Sequence, residues 1–200
     1  MRHLLIAAGA GLLLATGCAS NETRSTDSTD STESADTAGQ AEAPATTAAD
    51  VPADAPVIRV AHSVPYSDDA TIANNIRQEC NLEEQFSEFI AHYGADQGIR
   101  FERRQDVDPS AGGQVLMVEL TDAVSGGNAW IGHRKVTEAA GTLYADGEEQ
   151  ASFTSRRFSG GGAFGGFKGS CSVLGRTVQA MGRDIATWSA APADGAHLGD

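Results

Sequence analysis

Basic residues are scarce in this chain: 14 Lys and Arg stand against 27 Asp and Glu, for a net charge of −13 at pH 7. Binding nucleic acid or anionic lipid through bulk charge needs clustered Lys and Arg, so no nucleic-acid partner is expected. Long apolar runs are missing too, since residues 4–14 fall short of the roughly 20 residues that a membrane-spanning helix needs. Cysteine is limited to Cys18, Cys80 and Cys171, with no C-x-x-C pair, which removes the common dithiol and zinc patterns. No G-x-S-x-G is present. His62, His92 and His133 stand at no ligand spacing from one another or from the cysteines. No catalytic residue, cofactor or metal site is therefore assigned, and a non-enzymatic role is expected. A hydrolase with an unrecognised site stays as an alternative, because triad partners can be distant in sequence.

What is present starts with an address. Arg2 precedes the apolar stretch 4–14, which ends in Leu14-Ala15-Thr16-Gly17-Cys18. An apolar stretch of this length followed by small residues has the form of a signal-peptide core rather than of a span. The arrangement resembles the lipobox of bacterial lipoprotein precursors. That resemblance implies removal of residues 1–17 and lipid on both the sulfur and the new amino group of Cys18. One fatty chain holds a protein only marginally, at about 0.8 kcal/mol per buried methylene, whereas several hold it firmly. Ala19 rather than Asp follows the cysteine, which in Gram-negative lipoproteins implies the outer membrane, with the domain facing the periplasm. The competing reading is a secreted protein without the anchor, in which Cys18 is a stray thiol.

Residues 18–56 read as the lipidated cysteine followed by a linker of Ser, Thr, Ala, Asp and Glu, with no aromatic residue. Such a segment cannot bury enough surface to offset its ordering entropy. From residue 21 to 56 it carries Arg24 against eight acidic residues, and like charges extend a coil. The expectation is a solubilising tether that leaves the folded part free to orient.

Residues 57–191 are long enough for one core, and residues 192–200 read as a flexible tail. Val57-Ile58-Arg59-Val60-Ala61 predicts a strand. Ile72, Ile76, Leu82, Phe86, Phe89, Ile90 and Tyr93 predict a helix capped at Asp68 or Asp69 and stopped at Gly94. Its acidic residues Glu79, Glu83, Glu84 and Glu88 read as a solvated face. Strands are then predicted at 99–103, 115–120 and 130–144, and at 151–158 after the Asp146-Gly147 turn signal. The last element is a helix, because Cys171, Leu174, Val178, Met181, Ile185 and Trp188 recur at helical intervals. Gly175 and Gly182 on that helix suggest close approach to a sheet. The order β-α-β-β-β-β-α predicts an α+β two-layer sandwich, with a mostly antiparallel sheet of about five strands and two helices on one face.

Gly141-Thr142-Leu143-Tyr144, Asp146-Gly147, Ser152-Phe153, Gly166-Phe167-Lys168-Gly169 and Asp184-Ile185-Ala186-Thr187-Trp188 resemble small uncharacterised α/β envelope lipoproteins over roughly the last 60 residues. The resemblance implies an accessory role in the cell envelope. The space outside the inner membrane, where the lipobox resemblance puts the chain, is oxidising, so Cys80 and Cys171 are expected to pair, since two helices on one sheet face can bring them within bonding reach.

The segment from Ser159 to Gly169 is the one that suggests a ligand. Gly160, Gly162 and Gly165 satisfy G-x-G-x-x-G, but no second strand follows to complete a nucleotide-binding unit, and Phe167 stands where a P-loop needs lysine. The glycines read instead as a mobile loop whose Phe164 and Phe167 either fold back on the core or sit exposed beside Arg156, Arg157 and Lys168, a candidate surface for an envelope protein partner or, as the alternative, for a small or polymeric envelope ligand. Oligomeric state is not legible.

Overall fold

The structure is a computed structural model that describes residues 51–128, 132–159 and 169–199. Cys18, Phe164, Phe167 and Lys168 lie outside the described residues, as does the side chain of His133. The elements are β1 (Val57–Ala61), β2 (Tyr66–Ile72), α1 (Asn74–Glu79), α2 (Leu82–Asp96), β3 (Arg100–Arg104), β4 (Gln114–Asn128), β5 (Gly132–Ala145), β6 (Glu148–Ser159), α3 (Ser170–Ala190) and β7 (Ala196–Gly199).

The fold is α+β, with corrections to the expected layout. Among the described residues the sheet has seven strands rather than about five, in the order β3-β1-β4-β5-β6-β7, with β2 also on β4. It is mixed rather than mostly antiparallel. β4–β5 and β5–β6 are antiparallel, whereas β1–β3, β1–β4, β2–β4 and β6–β7 are parallel. The parallel pairs β1–β3 and β6–β7 follow from their helical connections, because a crossover through a helix returns the chain in the direction in which it left. The described helices number three rather than two, and the element order is β-β-α-α-β-β-β-β-α-β.

The single helix expected before Gly94 is replaced by three elements. Residues 66–72 are a strand because β4 offers a free edge beyond the end of β1, where Tyr66 pairs with Leu120 and Ile72 with Ala123. The helical remainder breaks at Asn81, which has φ 43° and ψ 40°, a left-handed conformation that Asn tolerates better than most residues. The predicted β5–β6 hairpin is present. Asp146 and Gly147 have φ of 52° and 88°, the positive angles that an Asp-Gly turn supplies. Asp146 also ties the turn to the start of β4, since Gly113 N donates to its carboxylate at 2.6 Å.

One face of the sheet packs on the helices. Ile58, Val60, Leu116, Leu120 and Leu143 from the strands meet Phe86, Phe89, Leu174, Met181 and Ile185 from the helices, and all of them are buried. Each such side chain contributes about 1.5–3 kcal/mol on burial. Trp188 closes one end of this layer edge-on against Phe153, 4.8 Å between ring centres. Gly182 permits a close approach, though onto α2 rather than onto the sheet: an added Cβ would lie 2.7 Å from Phe89 Cβ. Before β1, Val51 is buried, and Arg100 Nη2 donates to the Pro52 carbonyl at 2.7 Å.

Candidate functional site

The two described members of the predicted basic patch, Arg156 and Arg157, are neighbours on β6, and neighbours on a strand point to opposite faces. Arg157 points to the helix side and forms a two-pronged pair with Asp184 on α3, at 2.8 and 2.9 Å. Arg156 points to the helix-free side, where its Nε lies 2.9 Å from Glu138 and its guanidinium sits 4.5 Å from the centre of the Phe158 ring. The structure therefore does not bring these arginines together. Arg157 ties a helix to the sheet, and Arg156 belongs to a surface.

That surface is built by strand register. Val124 on β4, Val136 on β5 and Phe158 on β6 pair in one row across the sheet, with Val124 and Phe158 exposed. The next row is charged and runs Asp122, Glu138 and Arg156. The register of β4 slips between Leu120 and Asp122, and an extra residue of this kind increases local twist. A concavity of about 470 Å³ opens there, lined by Thr121, Glu138, Thr154, Arg156 and His197 among others. His197 comes from β7, and its Nδ1 lies 2.7 Å from Thr154 Oγ1.

A second cluster lies on the helix side, and sequence reasoning missed it. Lys135 on β5 is buried and donates to Ser125 Oγ on β4 and to Ser170 Oγ, the first residue of α3, the latter at 2.8 Å. Burial pushes the Lys135 ammonium below the ordinary lysine range. Parity along β5 was the available signal, because Leu143, Ala139 and Thr137 are buried at the same alternate positions.

Cys80 and Cys171 form a disulfide, with their Cα atoms 4.7 Å apart. It joins the end of α1 to the start of α3, so both helices hold their positions through a covalent link as well as through the core. His62 and His92 make separate contacts. His62 Nε2 is 3.8 Å from Glu84, and His92 meets the edge of the Tyr93 ring. Among the described residues no group of three His, Cys, Asp or Glu side chains converges as a metal site. None of the described helices is long and apolar enough to cross a membrane.

No protein-family model matches the chain, and no curated protein sequence does. The solved structures that resemble it include two at 11% identity and a TM-score of 0.40. One is a minor lipoprotein from Acinetobacter baumannii, with the likeness covering 68% of this chain and 92% of that one. The other is PelC, a dodecamer, from Paraburkholderia phytofirmans, covering 68% and 91%.

Proposed function

We propose that this chain is a lipoprotein anchored in the outer membrane through acyl groups on Cys18, and that its folded part is a non-enzymatic interaction domain facing the periplasm. The observation that carries the reading is the pairing of two sequence and structural facts. A short apolar segment ends in Leu14-Ala15-Thr16-Gly17-Cys18, and the other two cysteines are joined in a disulfide, a bond that persists in oxidising compartments. With those two sulfurs joined, Cys18 is the one cysteine left for modification.

The interaction role is supported by the helix-free face of the sheet. An exposed apolar row beside a charged row, next to a concavity, offers area for contact together with polar groups that select a partner. Arg156 and Phe158 stand at the centre of that surface, and the partner it suits is another envelope protein.

The test is metabolic labelling of the full chain with a palmitate analogue, followed by membrane fractionation and intact mass. Label on the wild type but not on Cys18→Ala, with a mature mass beginning at Cys18, is the expected result. A chain that keeps Met1 and gains no acyl mass would refute the anchor. For the domain, a photo-crosslinking residue at position 158 is expected to capture a defined envelope protein, whereas one at exposed Glu149, at the opposite end of β6, is not. Equal or absent capture at both positions would refute the assigned face.

A further inference from the structure

The helix-free face of the sheet carries a charge pattern that is its own complement. Across β5 and β6 the register sets side chains of that face in three successive rows: Val136 beside Phe158, Glu138 beside Arg156, and Ala140 beside Thr154. The third row continues to Glu119 on β4 in one direction and to His197 on β7 in the other. Contacts within the rows show that these groups share one face, since Arg156 Nε lies 2.9 Å from Glu138 and Thr154 Oγ1 lies 2.7 Å from His197 Nδ1.

Sheets that pack face to face lie about 10 Å apart with their strands within about 30° of each other. The register therefore tells what this face meets when it is laid on a copy of itself. A two-fold axis between the two faces, running along the strands and midway between β5 and β6, lays β5 on β6 of the second copy and β4 on its β7. Rows stay level under that rotation. Glu138 then faces Arg156 of the second copy, Glu119 faces its His197, and Val136 faces its Phe158. A two-fold contact makes each of these pairings twice. Asp122, in the middle row with Gly199, falls opposite that glycine and gains no pair. An axis on β5 itself would set Glu138 against Glu138, so the charges select the register between β5 and β6.

The groups are available for these contacts. Phe158 is 36% exposed, and the side chains of Arg156 and Glu138 are 52% and 37% exposed. Arg156 turns its Nε to its own Glu138, and the terminal nitrogens of the guanidinium carry further donors for a second carboxylate. Glu119 is exposed and makes no ion pair among the described residues. Thr154 takes up Nδ1 of His197, so Nε2 is the nitrogen that can donate across the contact. The concavity of about 470 Å³ beside Glu138, Arg156 and His197 gives the long side chains of the second copy room to enter.

We infer that the helix-free face is a two-fold contact between copies of this chain, with Glu138 and Arg156 crossing between them. The inference rests on the interaction face proposed above and names its occupant, the envelope protein in question being a second copy.

The experiment co-expresses two full-length copies that carry different tags, one of them with a photo-crosslinking phenylalanine analogue at position 158. Capture of the other tag is expected. Glu138→Arg in both copies, or Arg156→Glu in both, sets like charges against each other twice and is expected to lower capture by about fivefold or more. Glu138→Arg in one copy with Arg156→Glu in the other makes both crossing pairs opposite in sign again, and capture is expected to return to within about twofold of wild type. A defect confined to each chain gives no such rescue. Glu119→Arg leaves the pair within the chain intact and is also expected to lower capture; it decides the matter if either other variant fails to fold. Capture of a different envelope protein alone would uphold the face and overturn the second copy as its occupant, whereas capture of nothing would overturn both. Folded variants that fail to rescue each other, or unchanged capture with Glu119→Arg, would overturn this dimer.

Discussion

Gly182→Ala sets two effects of known size against each other. In the interior of α3, alanine is favoured over glycine by about 1 kcal/mol. Yet the Cβ it adds would lie 2.7 Å from Phe89 Cβ, 3.0 Å from the Phe89 carbonyl carbon and 3.1 Å from Ile90 N, where carbon atoms prefer roughly 3.5–4.0 Å. Two of those three atoms are backbone, so no rotamer change relieves the contact, and α2 as a whole has to move away. That movement is opposed by Phe86, Phe89 and Ile90, all fully buried, and by the disulfide that joins Cys80, just before α2, to the start of α3. Overpacking of this kind costs about 1–3 kcal/mol, which exceeds the propensity gain over most of its range. The net expectation is a loss of up to about 2 kcal/mol. For a domain of this size each kcal/mol moves Tm by about 2–4 °C, so melts followed by circular dichroism on the oxidised protein should show a fall of up to roughly 8 °C. Arg176→Ala, exposed on the same helix, serves as the control and should stay within about 0.5 kcal/mol of wild type. A Gly182→Ala protein more stable than wild type would refute the close approach of α2 and α3.

Two further outcomes follow from the same packing. The disulfide closes a separation of 91 residues, which on the chain-entropy account contributes about 4–5 kcal/mol. Cys80→Ala with Cys171→Ala should lower the urea stability by an amount of that order, and alkylation without reduction should add no label to either cysteine in the wild type. Two labels there, or an unchanged urea midpoint in the double variant, would show that the bond is absent or idle. Burial, reinforced by the nearby Glu83 and opposed by Arg77, pushes the Tyr66 hydroxyl up to about 12 from 10.0. The folded state thus holds this proton more tightly than the unfolded state does. Its contribution is complete below about pH 10 and is lost as pH rises through about 12. Tyr66→Phe removes that dependence together with a buried oxygen that has no hydrogen-bond partner among the described residues. Urea midpoints of the two proteins should therefore diverge between pH 10 and 12 in favour of the variant; parallel curves would refute the burial.

The elements legible in the sequence are those whose signal is local. The β5–β6 hairpin follows from Asp146-Gly147 between two β-rich runs, and α3 follows from the spacing of Leu174, Val178, Met181 and Ile185, all of which are buried. β2 was not legible, because Tyr66-Ser67-Asp68-Asp69-Ala70-Thr71-Ile72 has neither alternation nor a helical stripe of its own. It is a strand because β4 continues past β1 and leaves an edge to be paired. β7 is four residues long and is held by register against β6. At the candidate site, the divergence of Arg156 and Arg157 was readable from strand alternation alone. The meeting of Lys135 with Ser125 and Ser170 was not, since those residues are 10 and 35 positions apart from it.

By itself the sequence determined which segments are apolar, where tight turns occur and which cysteines are available. These properties depend on each residue's own chemistry and on neighbours within a few positions. Tertiary structure alone decided the mixed sheet, the seat of Gly182 against α2 rather than the sheet, and the placement of a buried ammonium at the start of α3. Each of those arises where distant segments share one interface, and the free energy of a shared interface belongs to the pair rather than to either segment.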